Sequence, residues 1–210
     1  MAWRRRRIVT ERSKALQDFL DAAFVAFDRC AEDVRSRDSV KRICSLLEAP
    51  ARQRRELGHR LSVCTQFLNE ALAVQTGEPP LRALLQSFRV LEPSLEWVTK
   101  SVHDDSASQN FPTGHANAMI VGPKGLEDRC DLWLGVTLMA PHVRYPDHDH
   151  WPEETYLVLS ESEFMQAGNG WFAPGIGGSF YNPPGIRHAM RSGDKPLFAL
   201  WALLADQPHH

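Results

Sequence analysis

The sequence lacks the features that mark membrane, disulfide-rich and nucleic-acid-binding proteins. No apolar run approaches the ~18 residues that a membrane-spanning helix requires, so we expect no membrane partner. The formal net charge is only −2, which gives no overall attraction to nucleic acid or anionic lipid. The four cysteines show no C-x-x-C spacing, which predicts free, buried thiols. They are Cys30, Cys44, Cys64 and Cys130.

The amino-terminal segment lacks the apolar stretch that would complete a secretory signal. Four arginines, Arg4–Arg7, give a positive start, but the polar segment Thr10–Lys14 follows almost at once. Together with the unpaired cysteines, this predicts a protein of the reducing cytoplasm.

Helical periodicity dominates residues 1–95, where we predict four helices packed on the remainder of the chain. The first carries a broad apolar stripe, formed by Leu16, Phe19, Leu20, Ala23, Phe24 and Phe27. Asp38–Ser39 is expected to cap the second, which Pro50 stops. The third is predicted from Leu57 to Leu72 with Gly77 beyond its end, and Pro79–Pro80 opens the fourth. No catalytic constellation is visible in this region.

After residue 95 the pattern changes to short apolar segments separated by glycine, proline, aspartate and asparagine. Turns are indicated at Pro123–Gly125, Gly168–Gly170 and Ser192–Asp194. Strands are predicted over 118–121, 132–139, 156–159, 164–166, 171–173, 179–181 and 198–204. The sequence therefore predicts an α+β protein, with a helical region over 1–95 and a single antiparallel β-barrel or jelly roll over 96–210.

Chemistry-bearing residues concentrate between Tyr145 and Tyr156. His148 and His150 alternate on a segment that reads as extended, so both imidazoles point to one side. Glu154 follows shortly after, and His188 lies in a later Pro-x-Gly-x-x-His segment. Imidazoles and a carboxylate suit a divalent transition metal, with zinc or iron favoured and manganese, nickel, cobalt and copper also compatible. The competing interpretation is a cluster of surface histidines that binds nothing.

These residues resemble the two motifs of the cupin superfamily. His148, His150 and Glu154 match the first motif. The second motif is matched by Gly177, Pro183, Gly185 and His188. Two positions depart from the pattern: Glu161 replaces a glycine, and Ser192 replaces a terminal asparagine. The resemblance implies a cupin barrel with a metal site inside it, and a homodimer is common among such proteins.

Within the cupins, the chain resembles the dimethylsulfoniopropionate (DMSP) lyases of the DddQ group. The resemblance rests on Tyr145, His150, Glu154 and Tyr156, and on the order of a helical region followed by one barrel. It implies that His150, Glu154 and His188 bind the metal, with Tyr156 at or beside it. In this family the first histidine of the motif, here His148, need not be a close ligand.

The implied reaction cleaves DMSP to dimethyl sulfide and acrylate. A cation beside Tyr156 would favour its phenolate, which makes this tyrosine the expected general base. Tyr145 is expected to cover or orient the substrate, or to share in proton transfer. Aromatic faces suit the sulfonium group, and the barrel half offers several candidates. They are Trp133, Trp151, Trp171, Phe180, Tyr181 and Trp201. Arg144 and Arg187 flank the motifs, where either a surface ion pair or attraction of a carboxylate is possible.

Two other functions remain compatible with the same motifs. One is a cupin dioxygenase that uses Fe(II) and acts on a small organic acid. The other is a non-enzymatic, ligand-binding cupin. A phenol beside the metal favours the lyase, because an elimination needs a base and an oxygenation does not. The helices show no evident helix-turn-helix, which disfavours a DNA-binding regulator.

Overall fold

The computed structural model describes residues 11–54, 58–101 and 104–205. Expectations about Arg4–Arg7, and about Leu57 as the start of a helix, lie outside these residues. The described residues form five helices: α1 (Lys14–Cys30), α2 (Val34–Leu47), α3 (Ser62–Ala71), α4 (Pro79–Leu91) and the short α5 (Phe111–Gly114). A 3₁₀ turn, Glu92–Ser94, follows α4.

The first and fourth helices form as their apolar stripes predict. The Ser13 side chain caps α1 by accepting a hydrogen bond from the Leu16 N–H at 3.2 Å. The α1 stripe is buried except for Phe24, which is partly buried. Helix α4 begins at Pro79, where a missing N–H costs no intrahelical bond.

The predicted start of the second helix is wrong. Helix α2 begins at Val34, and its cap is Asp33, whose side chain accepts from the Arg35 N–H at 2.8 Å. Asp38 and Ser39 lie inside the helix, because Asp33 already satisfies a free N–H of the first turn. Ser39 is buried, whereas Asp38 faces solvent.

The predicted third helix begins too early, and Gly77 is not the residue that ends it. Helix α3 starts at Ser62, because the preceding segment is extended beside the chain after the 3₁₀ turn. The His59 N–H donates to the Leu95 carbonyl at 3.0 Å, and the Trp97 N–H donates to the His59 carbonyl at 2.9 Å. A Cβ at Gly58 would lie 1.8 Å from the Pro93 carbonyl oxygen, so the close approach requires glycine. The helix ends at Ala71, well before Gly77.

Eleven strands are present in the described residues. They are β1 (Arg52–Gln53), β2 (Trp97–Val98), β3 (His115–Val121), β4 (Glu127–Asp128), β5 (Leu132–Met139), β6 (Glu153–Val158), β7 (Ser162–Gln166), β8 (Gly170–Phe172), β9 (Ser179–Asn182), β10 (His188–Ser192) and β11 (Leu197–Leu204). The larger sheet has the order β1-β4-β3-β5-β11-β6-β9, with β2 paired to β3. The smaller sheet has the order β10-β7-β8. The fold prediction, an α+β protein with a cupin barrel, is confirmed.

All seven predicted strands exist, with ends that differ by a few residues. Strand β10, which begins at His188, was not predicted. Its sequence, His-Ala-Met-Arg-Ser, lacks clear alternation, and only its pairing with β7 makes it a strand. The two-residue strands β1, β2 and β4 were also not predicted.

The helical layer and the barrel share one core. Phe88 of α4 contacts Phe19 of α1 at a centroid distance of 6.0 Å and Phe198 of β11 at 5.0 Å. Strand β1, from the helical part of the chain, pairs with β4 of the barrel. A boundary at residue 95 between a helical region and the barrel remains a prediction.

The cysteines are free, as predicted, but only one is buried. Cys64 is buried and Cys30 is partly buried, whereas Cys44 and Cys130 are exposed. Cys44 follows the buried Ile43 on α2 and faces outward, because adjacent helical positions point in different directions. None of the described helices is long and apolar enough to cross a membrane.

A buried carboxylate ties the start of α1 to the barrel. Glu127 is fully buried and accepts bonds from Arg12 at 2.5 and 3.0 Å, from Arg129 at 3.1 Å and from Gln53 at 2.9 Å. Burial by itself raises the pKa of Glu127, but the bonds from Arg12 and Gln53 outweigh it and lower the pKa. The carboxylate is therefore stable in its ionised form.

Replacing Glu127 with glutamine should destabilise the fold. The change leaves the buried guanidinium of Arg12 without its counter-charge, whereas Arg129 keeps its pair with Asp131. We therefore expect a loss of about 3 kcal/mol in unfolding free energy. Urea denaturation at neutral pH measures this loss of unfolding free energy. Because the folded pKa of Glu127 is lowered, its contribution is present above the unfolded carboxyl pKa and disappears as pH falls through the folded value. Glu161→Gln, at an exposed position, is the control. Equal stability of the two variants would contradict the prediction.

Candidate metal centre

The candidate site forms where an extended segment runs beside β10. The His148 N–H donates to the His188 carbonyl at 3.0 Å, and the His188 N–H returns a bond to the His148 carbonyl at 2.8 Å. The Gly185 N–H donates to the His150 carbonyl at 2.9 Å. Gly185 has a φ of 72°, which favours glycine and turns the chain into β10. These bonds bring the two sequence motifs together.

Three imidazoles converge at this junction. One ring nitrogen from each of His148, His150 and His188 lies within 4.8 Å of those of the other two. Each Nδ1 lies 2.8 or 2.9 Å from a backbone carbonyl two residues away: Pro146, Pro152 and Ile186 respectively. A carbonyl only accepts, so each Nδ1 carries the proton and each Nε2 keeps its lone pair in the neutral ring. The cluster therefore presents three nitrogen ligands.

Glu154 adds a carboxylate to the three histidines. Its Oε2 lies 3.4 Å from the His150 Nε2 and 3.2 Å from the His188 Nε2. Burial alone raises the pKa of Glu154, but the adjacent His150 and His188 outweigh it and hold the pKa far below its ordinary value. The carboxylate is buried and ionised.

This geometry requires positive charge between the ligand atoms. Two nitrogen lone pairs facing a carboxylate oxygen repel one another unless a proton or a metal ion lies between them. The His188 Nε2 is buried and has no hydrogen-bond partner among the described residues. A buried imidazole nitrogen with a free lone pair is suited to binding a metal ion. The donor set of three imidazoles and one carboxylate fits a divalent transition metal.

The electrostatic environments of two of the histidines differ. Burial, together with the neighbouring His188 and Lys100, lowers the pKa of His148 to about 3, so this ring is neutral at ordinary pH. Burial also lowers the pKa of His150, but the adjacent Glu154 outweighs burial and raises it overall. A neutral imidazole is the form that binds metals.

Tyr156 lies on β6 two residues beyond Glu154, so both side chains point to the same side of the sheet. The phenol is buried, and its ring stacks on Phe180 at 5.2 Å and lies 5.3 Å from Phe164. Burial and the charge of Glu154 raise the pKa of Tyr156 well above its ordinary value. Without a nearby cation the phenol keeps its proton.

Tyr145 packs against the other end of the cluster. Its ring centroid lies 5.0 Å from that of His148, and the Lys100 ammonium lies 5.3 Å from the Tyr145 centroid. Burial raises the pKa of Tyr145 to about 12, although a hydrogen bond from Asn117 opposes the shift. Burial also lowers the pKa of Lys100.

The residues that flank the motifs have varied surroundings. Arg144 and Arg187 both pair with Asp147, at 2.7 and 3.2 Å, which supports the ion-pair interpretation. Trp151 is 66% exposed, so it does not wall a buried site. Trp171 lies against the guanidinium of Arg191 at 4.3 Å.

No sequence motif predicts the residues that support Glu154. The Asn182 Nδ2 donates to the Glu154 Oε2 at 2.9 Å, and the Gln166 Nε2 donates to the Asn182 Oδ1 at 2.7 Å. Asn182 is the direct partner of Glu154 across β6 and β9. Strand pairing alone brings these residues together, so a motif search could not find them. Ser192 stands where the second cupin motif usually has an asparagine. Its Oγ accepts a hydrogen bond from the Val143 N–H at 2.9 Å.

Comparisons with known proteins indicate one family. A family model described as dimethylsulfoniopropionate lyase matches residues 35–199. The dimethylsulfoniopropionate lyase DddQ of Ruegeria pomeroyi is 38% identical over 82 residues, which are 39% of this chain and 41% of that protein. The matched segment thus spans less than half of that relative.

Two solved structures share the fold over nearly the whole chain. The crystal structure of DddQ from Ruegeria pomeroyi has a TM-score of 0.73 at 21% identity, covering 95% of each chain. A structure described with the DMSP lyases RdDddP and RnDddQII has a TM-score of 0.67 at 21% identity, covering 90% of this chain and 92% of the other. At this identity the structures establish the fold. Because the family model spans most of the sequence, the chain belongs to the dimethylsulfoniopropionate lyase family.

Proposed function

We propose that this protein cleaves DMSP to dimethyl sulfide and acrylate. The observation that carries the proposal is the convergence of His148, His150, His188 and Glu154 beside the buried Tyr156, in a chain of the DMSP lyase family. The reaction breaks the bond between sulfur and the β-carbon and removes one proton from the α-carbon. It is redox-neutral and needs no second substrate.

The proposed metal ligands are His150, Glu154 and His188, with His148 as the fourth protein ligand and Tyr156 at or beside the ion. The His148 Nε2 has its lone pair available and its ring is neutral, which supports its inclusion. A bound divalent cation, zinc or iron for this donor set, would neutralise Glu154, lower the pKa of Tyr156 and offset the charge that develops on the substrate carboxylate.

Tyr156 is the proposed general base. Its phenolate oxygen takes the α-proton, and the electron pair of the C–H bond forms the double bond of acrylate. The C–S bond breaks with its electrons on sulfur, so dimethyl sulfide leaves as a neutral molecule. Phe164 and Phe180 pack against the Tyr156 ring and hold its orientation. Tyr145, against His148, is placed to orient the substrate.

Purified, metal-loaded protein should release dimethyl sulfide and acrylate in equal amounts from DMSP. Headspace gas chromatography measures the sulfide, and liquid chromatography measures the acrylate. The rate should be the same in air and under nitrogen, because an elimination consumes no oxygen. Absence of both products would reject the lyase, whereas strict dependence on oxygen would indicate the dioxygenase alternative.

Removing the metal with a chelator should abolish turnover, and adding back one equivalent should restore it. His188→Gln should lower bound metal, measured by elemental analysis, by about tenfold or more, because one of few ligands is lost. His142→Gln is the control, since His142 lies on the surface beside Asp194. Full metal content in the His188 variant would contradict this ligand assignment.

Tyr156→Phe should keep the fold and the metal but lose activity by about 100-fold or more, because a general base contributes factors of that size. Tyr181→Phe is the matched control. Tyr181 is on the neighbouring strand, and its hydroxyl donates to Glu153 at 2.8 Å. Comparable kcat values for the Tyr156 variant and the unmodified protein would show that another group is the base.

A further inference from the structure

A chain of hydrogen bonds crosses the barrel and ends on the Tyr145 hydroxyl. The Trp201 indole N–H donates to the Thr137 Oγ1 at 3.1 Å. The Thr137 hydroxyl donates to the Asn117 Oδ1 at 2.6 Å, and the Asn117 Nδ2 donates to the Tyr145 oxygen at 3.3 Å. These contacts link three strands to the site, and none of the three supporting residues belongs to either sequence motif.

The register between neighbouring strands brings the members of this chain of hydrogen bonds together. Asn117 and Thr137 are direct partners across β3 and β5, and Gly135 and Trp201 are direct partners across β5 and β11. A Cβ at Gly135 would lie 2.3 Å from the Trp201 ring. Glycine therefore leaves the space that allows the indole to lie across β5 and reach Thr137.

The donors fix the direction of every bond in the chain. An indole N–H only donates, so the Thr137 oxygen accepts from Trp201. The acceptor for the Thr137 proton, among the described residues, is the Asn117 Oδ1. Rotating the Asn117 amide by half a turn would leave that proton without an acceptor and place two donors on one oxygen. The Asn117 NH₂ group therefore faces Tyr145.

The Tyr145 oxygen consequently accepts a bond, and its own proton remains available. Within the described parts of the chain, no acceptor lies within hydrogen-bond distance of that proton. The Tyr145 ring contacts His148 at the edge of the candidate metal centre. DMSP has one group that can accept a hydrogen bond, its carboxylate, since the sulfonium has no such acceptor.

We infer that Asn117 and Thr137 are positioning residues that orient Tyr145 to donate a hydrogen bond to the substrate carboxylate. This inference rests on the proposed lyase function. The carboxylate becomes more negative as the α-proton leaves, so the bond from Tyr145 strengthens in the transition state. Breaking this chain of hydrogen bonds should therefore lower kcat more than it raises KM.

The first test observes the chain of hydrogen bonds by spectroscopy and needs no catalytic turnover. The sequence contains only three tyrosines, so protein labelled with ¹³C at the tyrosine Cζ gives three signals, which Tyr145→Phe, Tyr156→Phe and Tyr181→Phe assign. Thr137→Val should move the Tyr145 signal and leave the Tyr181 signal in place. Thr137→Ser keeps the hydroxyl and should restore the Tyr145 signal. An unmoved Tyr145 signal in Thr137→Val would overturn the inference.

A matched control removes the same hydroxyl elsewhere. Thr155 lies on β6, is fully buried, and its Oγ1 has no hydrogen-bond partner among the described residues. It faces away from Glu154 and Tyr156, because successive strand residues alternate. Thr155→Val should leave the Tyr145 signal and the kinetics unchanged. A shift of the same size in both valine variants would mean a general packing effect.

The second test uses kinetics on protein with equal metal content. Thr137→Val should lower kcat about tenfold with KM changed less than about threefold, because a misdirected donor costs transition-state binding. Thr137→Ser should recover most of the loss. In a Tyr145→Phe background, Thr137→Val should cost less than about twofold, because coupled residues are not additive. A full tenfold loss in that background would show that Thr137 does not act through Tyr145.

If the unmodified protein releases no dimethyl sulfide, the proposed function fails, whereas the labelled spectra still decide whether the chain of hydrogen bonds orients Tyr145.

Discussion

Charge balance at one point in the barrel constrains the rest of the site. Two imidazole nitrogens face a buried, ionised Glu154 oxygen at 3.2 and 3.4 Å, with a third imidazole close by. Protons or a cation must lie among these atoms, since a buried carboxylate without positive charge nearby is very costly. The donor set suits a divalent ion, and the surrounding structure holds the donor atoms in place.

The surroundings achieve this mainly with backbone groups and neighbouring strands. Backbone carbonyls hold the three Nδ1 protons, so every Nε2 points inward. The helical layer reaches the same place, since Arg42 of α2 binds Glu153, the residue before Glu154. The helices therefore help to fix the start of β6, where the carboxylate ligand and the proposed base are located.

The sequence predicts the features that are local, and misses those that depend on strand pairing. The spacing of His148, His150 and Glu154 and the segment around His188 were sufficient to predict the cluster, because motif residues are close along the chain. Apolar periodicity does not predict the starts of α2 and α3, because Asp33 caps α2 and the extended segment at Gly58 packs closely against Pro93. Asn117, Thr137 and Asn182 could not be found, since only register brings them to Tyr145 and Glu154.

Burial has opposite effects on the two halves of the proposed chemistry. It raises the pKa of Tyr156 and Tyr145, which by itself makes both phenols poor bases. The same low-polarity surroundings strengthen the effect of any cation held by Glu154, because screening by water is reduced. In the proposed mechanism the base and the ion are therefore coupled, because Tyr156 becomes competent only when positive charge occupies the site. Tyr145 accepts a bond from Asn117, so it is suited to the different task of donating a hydrogen bond to a bound carboxylate. The two tyrosines share a buried setting, and their different neighbours, Glu154 and Asn117, support the different roles proposed for them.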